Sequence, residues 1–72
     1  MREFPFIKID GIWWEVADAE FLLQWVTLRS GFLVRVENQV GGYHFHRVSE
    51  DDEVKFFVSK TEAWQENAKA ED

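Results

Sequence analysis

The chain has 72 residues and no cysteine, and eight basic against fourteen acidic residues give it a net charge of −6 at pH 7. This length predicts one small domain, residues 1–72, with residues 68–72 frayed. The absence of cysteine excludes disulfides and cysteine-based zinc or iron–sulfur centres. The negative charge opposes approach to nucleic-acid phosphates and anionic lipid, so we expect no direct nucleic-acid binding.

No apolar run in the chain approaches the length that a membrane span needs, about 18 residues. Its first residues also lack the apolar core of a signal peptide. We therefore expect a cytoplasmic protein without a membrane partner.

The dipeptide Asp10-Gly11 lies between two apolar runs and predicts a tight hairpin of strands near 3–9 and 12–16. The register that follows from this turn gives the pairs Ile9–Ile12, Lys8–Trp13, Ile7–Trp14 and Phe6–Glu15. Lys8 would then lie over the Trp13 indole as a cation–π pair. Pro5 has no N–H, which places the first strand at a sheet edge.

A long amphipathic helix is predicted over 19–30, because Asp18 can cap its start and Gly31 can take the left-handed conformation at its end. Its apolar arc is wider than one sheet face can cover. The excess apolar residues on this arc are Leu22, Leu23 and Val26. We expect them to meet a second element or another chain.

The alternation of Phe32 to Glu37 and of Tyr43 to Val48 indicates a second hairpin with Gly41-Gly42 as its two-residue turn. This register places Tyr43 and Phe45 in the core, and places His44 and His46 outside, opposite Gln39 and Glu37. It also turns Asn38 and Arg47 inward, which counts against it. The alternative is a wider loop that includes Asn38-Gln39.

A last strand over 54–58 and a short C-terminal helix follow, the helix beginning at the capping box Ser59-Lys60-Thr61-Glu62. The order β-β-α-β-β-β-α predicts an α+β fold. Its antiparallel sheet has four to five strands, with the long helix packed across one face.

The residue types give little support for catalysis. Most hydroxyl side chains lie at predicted turns and caps, and no phosphate-binding glycine loop is present, so we predict neither an enzyme nor a cofactor. His44 and His46 project to the same side of a strand, and Glu37 could add a carboxylate. These three residues are weak candidates for zinc or iron ligands, and we predict no metal.

The surplus of apolar residues favours a non-catalytic protein-interaction module, a regulator or adaptor that binds a second copy of itself or another protein. The predicted anchors are Trp13, Leu22, Leu23, Val26 and Phe57. The alternative is an acidic decoy that imitates nucleic-acid phosphates and occupies a basic nucleic-acid-binding protein. Its carboxylates would be Glu50, Asp51, Asp52, Glu53, Glu62 and Glu66, since residues 50–72 carry eight of the fourteen acids.

Overall fold

A computed structural model of the chain describes residues 3–70 and contains five strands and two helices. The strands are β1 (Phe4–Ile9), β2 (Ile12–Val16), β3 (Leu33–Glu37), β4 (Tyr43–Arg47) and β5 (Glu53–Phe57). The helices are α1 (Phe21–Leu28) and α2 (Lys60–Ala70). The strands form one antiparallel sheet in the order β4-β3-β2-β1-β5, which confirms the predicted α+β class.

The β1–β2 hairpin confirms the prediction made from Asp10-Gly11. Both turn residues have positive φ, 51° and 84°, as a type I′ turn requires. The pairs are Phe6–Glu15, Ile7–Trp14, Lys8–Trp13 and Ile9–Ile12, as the turn predicts. The Lys8 ammonium lies 5.4 Å from the centre of the Trp13 ring.

The edge position predicted for the first strand is wrong, because β1 lies between β2 and β5. Pro5 fits in this central strand because it lies just beyond the end of the β1–β2 pairing. The pairing of β1 with β2 extends only from Phe6 to Ile9, whereas the pairing with β5 continues through Pro5, opposite Phe56. The missing N–H therefore falls where the β1–β2 pairing has stopped.

The first helix is shorter than predicted, eight residues against the eleven of α2, so the expected long first helix and short terminal helix are corrected. The Asp18 carboxylate accepts a hydrogen bond from the Glu20 N–H at 3.0 Å, and the Asp18 carbonyl accepts one from Phe21 at 3.1 Å. These bonds form a turn ahead of the helix. At the other end Arg29 takes a φ of 67°, two residues before Gly31.

Side chains from both faces of the sheet are buried, in two separate clusters. One cluster includes Phe21 of α1, and its buried members are Ile7, Val16, Phe21, Phe32, Val34, Val36 and Val48. The other lies under α2, and its buried members are Phe6, Trp13, Phe57 and Ala63. Because Phe6 and Ile7 are neighbours in β1 and point to opposite faces, β1 contributes to both clusters.

Helix α2 begins at the predicted capping box, where the Glu62 N–H donates to the Ser59 hydroxyl at 3.4 Å. Trp64 then packs edge-on against Phe6, with ring centres 5.2 Å apart. Ala68 to Ala70 belong to α2, while Glu71 and Asp72, the rest of the segment expected to fray, lie outside the described residues.

The register predicted for the second hairpin is wrong by three positions. Glu37 pairs with Tyr43, Val36 with His44 and Val34 with His46, and a five-residue loop joins the strands. Asn38 holds this loop, because its side-chain oxygen accepts hydrogen bonds from the N–H groups of Val40 (3.1 Å) and Gly42 (2.7 Å). An odd shift reverses every side chain of β4, so Tyr43 and Phe45 lie outside the core.

The accessible surface is 4978 Å², close to the about 4,700 Å² expected for a compact monomer of this mass. The chain therefore buries a normal amount of surface without a partner. Neither helix in residues 3–70 combines the length and apolarity needed to cross a bilayer.

Candidate protein-binding surface

Two of the predicted anchors are internal. Trp13 is 3% exposed and Phe57 is 2% exposed, because α2 covers both rings. The rings pack edge-on with their centres 5.2 Å apart, and the Trp13 indole N–H donates to Glu66 at 3.3 Å. Burial therefore removes Trp13 and Phe57 from any surface that a partner can touch.

The other three anchors form the outward face of α1. Leu22, Leu23 and Val26 are 55%, 68% and 59% exposed, respectively. They occupy positions i, i+1 and i+4, so they lie side by side on the helix. Phe21 and Trp25 lie on the opposite side of the helix, and their rings stack with centres 6.0 Å apart. The structure thus leaves an uncharged aliphatic ridge in solvent.

A groove of about 580 Å³ adjoins this ridge, between the chain that leads into α1 and the paired strands β1 and β5. Its apolar walls include Pro5, Phe56 and Leu22. Glu3 and Asp18 also line it, and no lysine or arginine is among its described lining residues. The groove and ridge, which we call the α1 surface, therefore combine apolar walls with acidic side chains.

The weak metal candidates are separated by the corrected register. His44 and His46 lie on the face that carries Val34 and Val36, whereas Glu37 lies on the opposite face of the sheet. Glu37 instead forms an ion pair with Arg35 at 3.2 Å. No cluster of three metal-ligating side chains occurs within residues 3–70.

The predicted acidic patch is divided among a loop, β5 and α2. Asp52 is committed to its own loop, where its carboxylate accepts a hydrogen bond from the Ser49 N–H and contacts His46, each at 2.8 Å. Glu66 contacts Lys55 at 3.4 Å in addition to the Trp13 indole. A decoy would therefore present its carboxylates from three different elements, with Asp52 held within its loop and Glu66 partly neutralised by Lys55.

Sequence reasoning missed a second apolar surface, the uncovered face of β3 and β4. Leu33, Tyr43 and Phe45 are all more than half exposed there. The Arg35 guanidinium lies over the Tyr43 ring, 4.0 Å from its centre, so this surface carries a positive charge beside its apolar side chains. The signal for this surface was Asn38, whose side chain determines the loop length and hence the face on which Tyr43 and Phe45 lie.

No protein-family profile matches this chain, no curated protein matches it, and no solved structure matches it. The features that bear on function are therefore those of the chain's own surface.

Proposed function

We propose that the protein is a small interaction module that binds a basic, amphipathic segment of a partner protein on the α1 surface. The observation that carries this proposal is the exposure of Leu22, Leu23 and Val26 side by side on α1, next to a groove lined by acidic side chains. A surface helix of a monomer normally turns polar residues outward. Contiguous apolar surface in that position is characteristic of an association site.

The chemistry of the partner follows from what surrounds the ridge. Glu3 and Asp18 lie in the adjoining groove, and Glu20 lies at the start of α1. A helix with apolar anchors on one face and lysine or arginine beside them would satisfy both features. Salt weakens contacts between exposed charges, so binding should fall as ionic strength rises.

The test uses an amphipathic helical peptide of leucine and lysine, titrated into isotopically labelled protein while backbone amide shifts are followed by NMR. Shifts concentrated at Leu22, Leu23, Val26 and the groove support the proposal. Leu23→Asp should weaken binding at least about tenfold, which corresponds to about 1.4 kcal/mol. Shifts spread over the whole acidic surface would refute it.

Leu33→Asp is the matched control, because Leu33 is 53% exposed on the β3–β4 face and lies outside the α1 surface. This variant should bind the peptide as the unchanged protein does. Sedimentation velocity over a range of concentrations tests the other occupant, a second copy of the chain. A dimer that Leu23→Asp disrupts would replace the basic partner with self-association.

A further inference from the structure

A cleft lies beside the part of β2 that does not pair with β3. β2 and β3 pair at only two positions, Glu15 with Glu37 and Val16 with Val36. The chain then turns into the 38–42 loop, so the first half of β2 has no strand on that side. The resulting cleft of about 600 Å³ lies between the β1–β2 turn, this loop and α2, and its size is in the range of small-molecule sites.

The backbone at this edge of β2 is already paired. The Trp13 N–H donates to the Asn67 side-chain oxygen at 2.6 Å, and the Asn67 amide donates to the Trp13 carbonyl at 2.9 Å. An added peptide strand would have to displace these bonds. An occupant of the cleft is therefore recognised by side chains and not by strand pairing.

Aromatic rings and one carboxylate supply those side chains. Trp14, His44 and Trp64 line the cleft, together with the aliphatic Ile9. The rings of Trp14 and His44 meet edge-on with their centres 4.6 Å apart. Asp10 is the one charged residue among the described residues that line it. The cleft thus suits an apolar group that carries positive charge.

The chain's own lysine and arginine side chains lie over other aromatic rings and not over the two tryptophans of the cleft. Four such pairs occur in the described residues: Lys8–Trp13, Arg35–Tyr43, Lys55–Phe57 and Lys60–Phe4. Within the same part of the chain, neither Trp14 nor Trp64 has a lysine or arginine over its ring. We propose that the cleft is a binding site for a small organic ammonium ion, held against these rings and beside Asp10.

The test compares choline with 3,3-dimethylbutan-1-ol, its neutral counterpart in which carbon replaces the charged nitrogen. Each is titrated while the indole N–H signals of Trp14 and Trp64 are followed by NMR. Choline should bind about tenfold more tightly than the alcohol and should shift both indole signals. Equal affinities would make the cleft an apolar site only and would overturn the proposal, as would the absence of shifts at these rings.

Asp10→Asn separates the charge from the shape of the turn, because asparagine tolerates the positive φ of Asp10. This variant should weaken choline binding severalfold and leave the alcohol unchanged. Asp51→Asn is the matched control, since Asp51 lies in the exposed β4–β5 loop and outside the cleft. Equal losses in both variants would show a general effect of net charge and would refute the assigned role of Asp10.

Discussion

Asn67 of α2 takes the place of a missing strand beside β2, and its removal should destabilise the fold. Its carboxamide makes two hydrogen bonds, of 2.6 and 2.9 Å, to the backbone of the buried residue Trp13. Asn67→Ala leaves both backbone groups without these partners. We predict a large loss in the free energy of unfolding with no change in the helix content of the folded state.

The expected net loss in the free energy of unfolding is about 1.3–2 kcal/mol. A buried backbone group without a partner costs about 1–3 kcal/mol, and we take the lower value for each because water can enter the neighbouring cleft. Alanine has the higher helix propensity, by up to about 0.7 kcal/mol, which reduces the measured loss. A domain of this length has a total stability of about 4–11 kcal/mol, so the change is a substantial part of it.

Urea unfolding followed by tryptophan fluorescence measures the effect. With a slope of about 1 kcal/mol per molar, the midpoint should fall by about 1.3–2 M. Gln65→Ala is the control, since Gln65 is an exposed residue of the same helix. Asn67→Asp keeps an acceptor for the Trp13 N–H and should give an intermediate loss. A change for Asn67→Ala within about 0.5 kcal/mol would refute the reasoning.

Three further predictions concern the clusters, the register and the β4–β5 loop. Phe6→Ala should lower the free energy of unfolding by about 3–5 kcal/mol, because the ring is fully buried and packs against Phe57 and Trp64. A cooperative thermal unfolding curve close to that of the unchanged protein would contradict this. Phe45→Thr should change the free energy of urea unfolding by less than about 1 kcal/mol, since the ring is 64% exposed; a loss above about 3 kcal/mol would restore the register that buries it. Asp52→Ala should lower the melting temperature, measured by circular dichroism, by roughly 4–8 °C, which corresponds to about 1 kcal/mol of unfolding free energy. The reason is that the contacts of the carboxylate with the Ser49 N–H and His46 disappear. An unchanged melting temperature would show that the carboxylate does not stabilise the loop.

The sequence predicts the fold best where a single dipeptide determines the geometry. Asp10-Gly11 admits one tight turn, and the entire register of the first hairpin follows from it. Gly41-Gly42 is a weaker signal, because the side chain of Asn38 competes with a two-residue turn by bonding to the backbone of its own loop. That competition reverses the faces of β4 and separates Glu37 from the two histidines.

The candidate surface was only partly predictable for a related reason. The excess of apolar residues on α1 is visible in the pattern of Leu22, Leu23 and Val26. Which rings α2 covers depends instead on tertiary packing, since the same apolar pattern is compatible with a buried or an exposed Trp13. The cleft beside β2 depends on where two strands diverge, and local sequence carries no direct sign of that.

The position of α2 in chain order has a consequence for shortened forms of the chain. All five strands precede this helix, so a chain that ends before Lys60 lacks the element that covers Phe6, Trp13 and Phe57. Such a shortened chain should bind a hydrophobic dye and aggregate, because these rings are then exposed. The chain that continues through Ala70 should do neither.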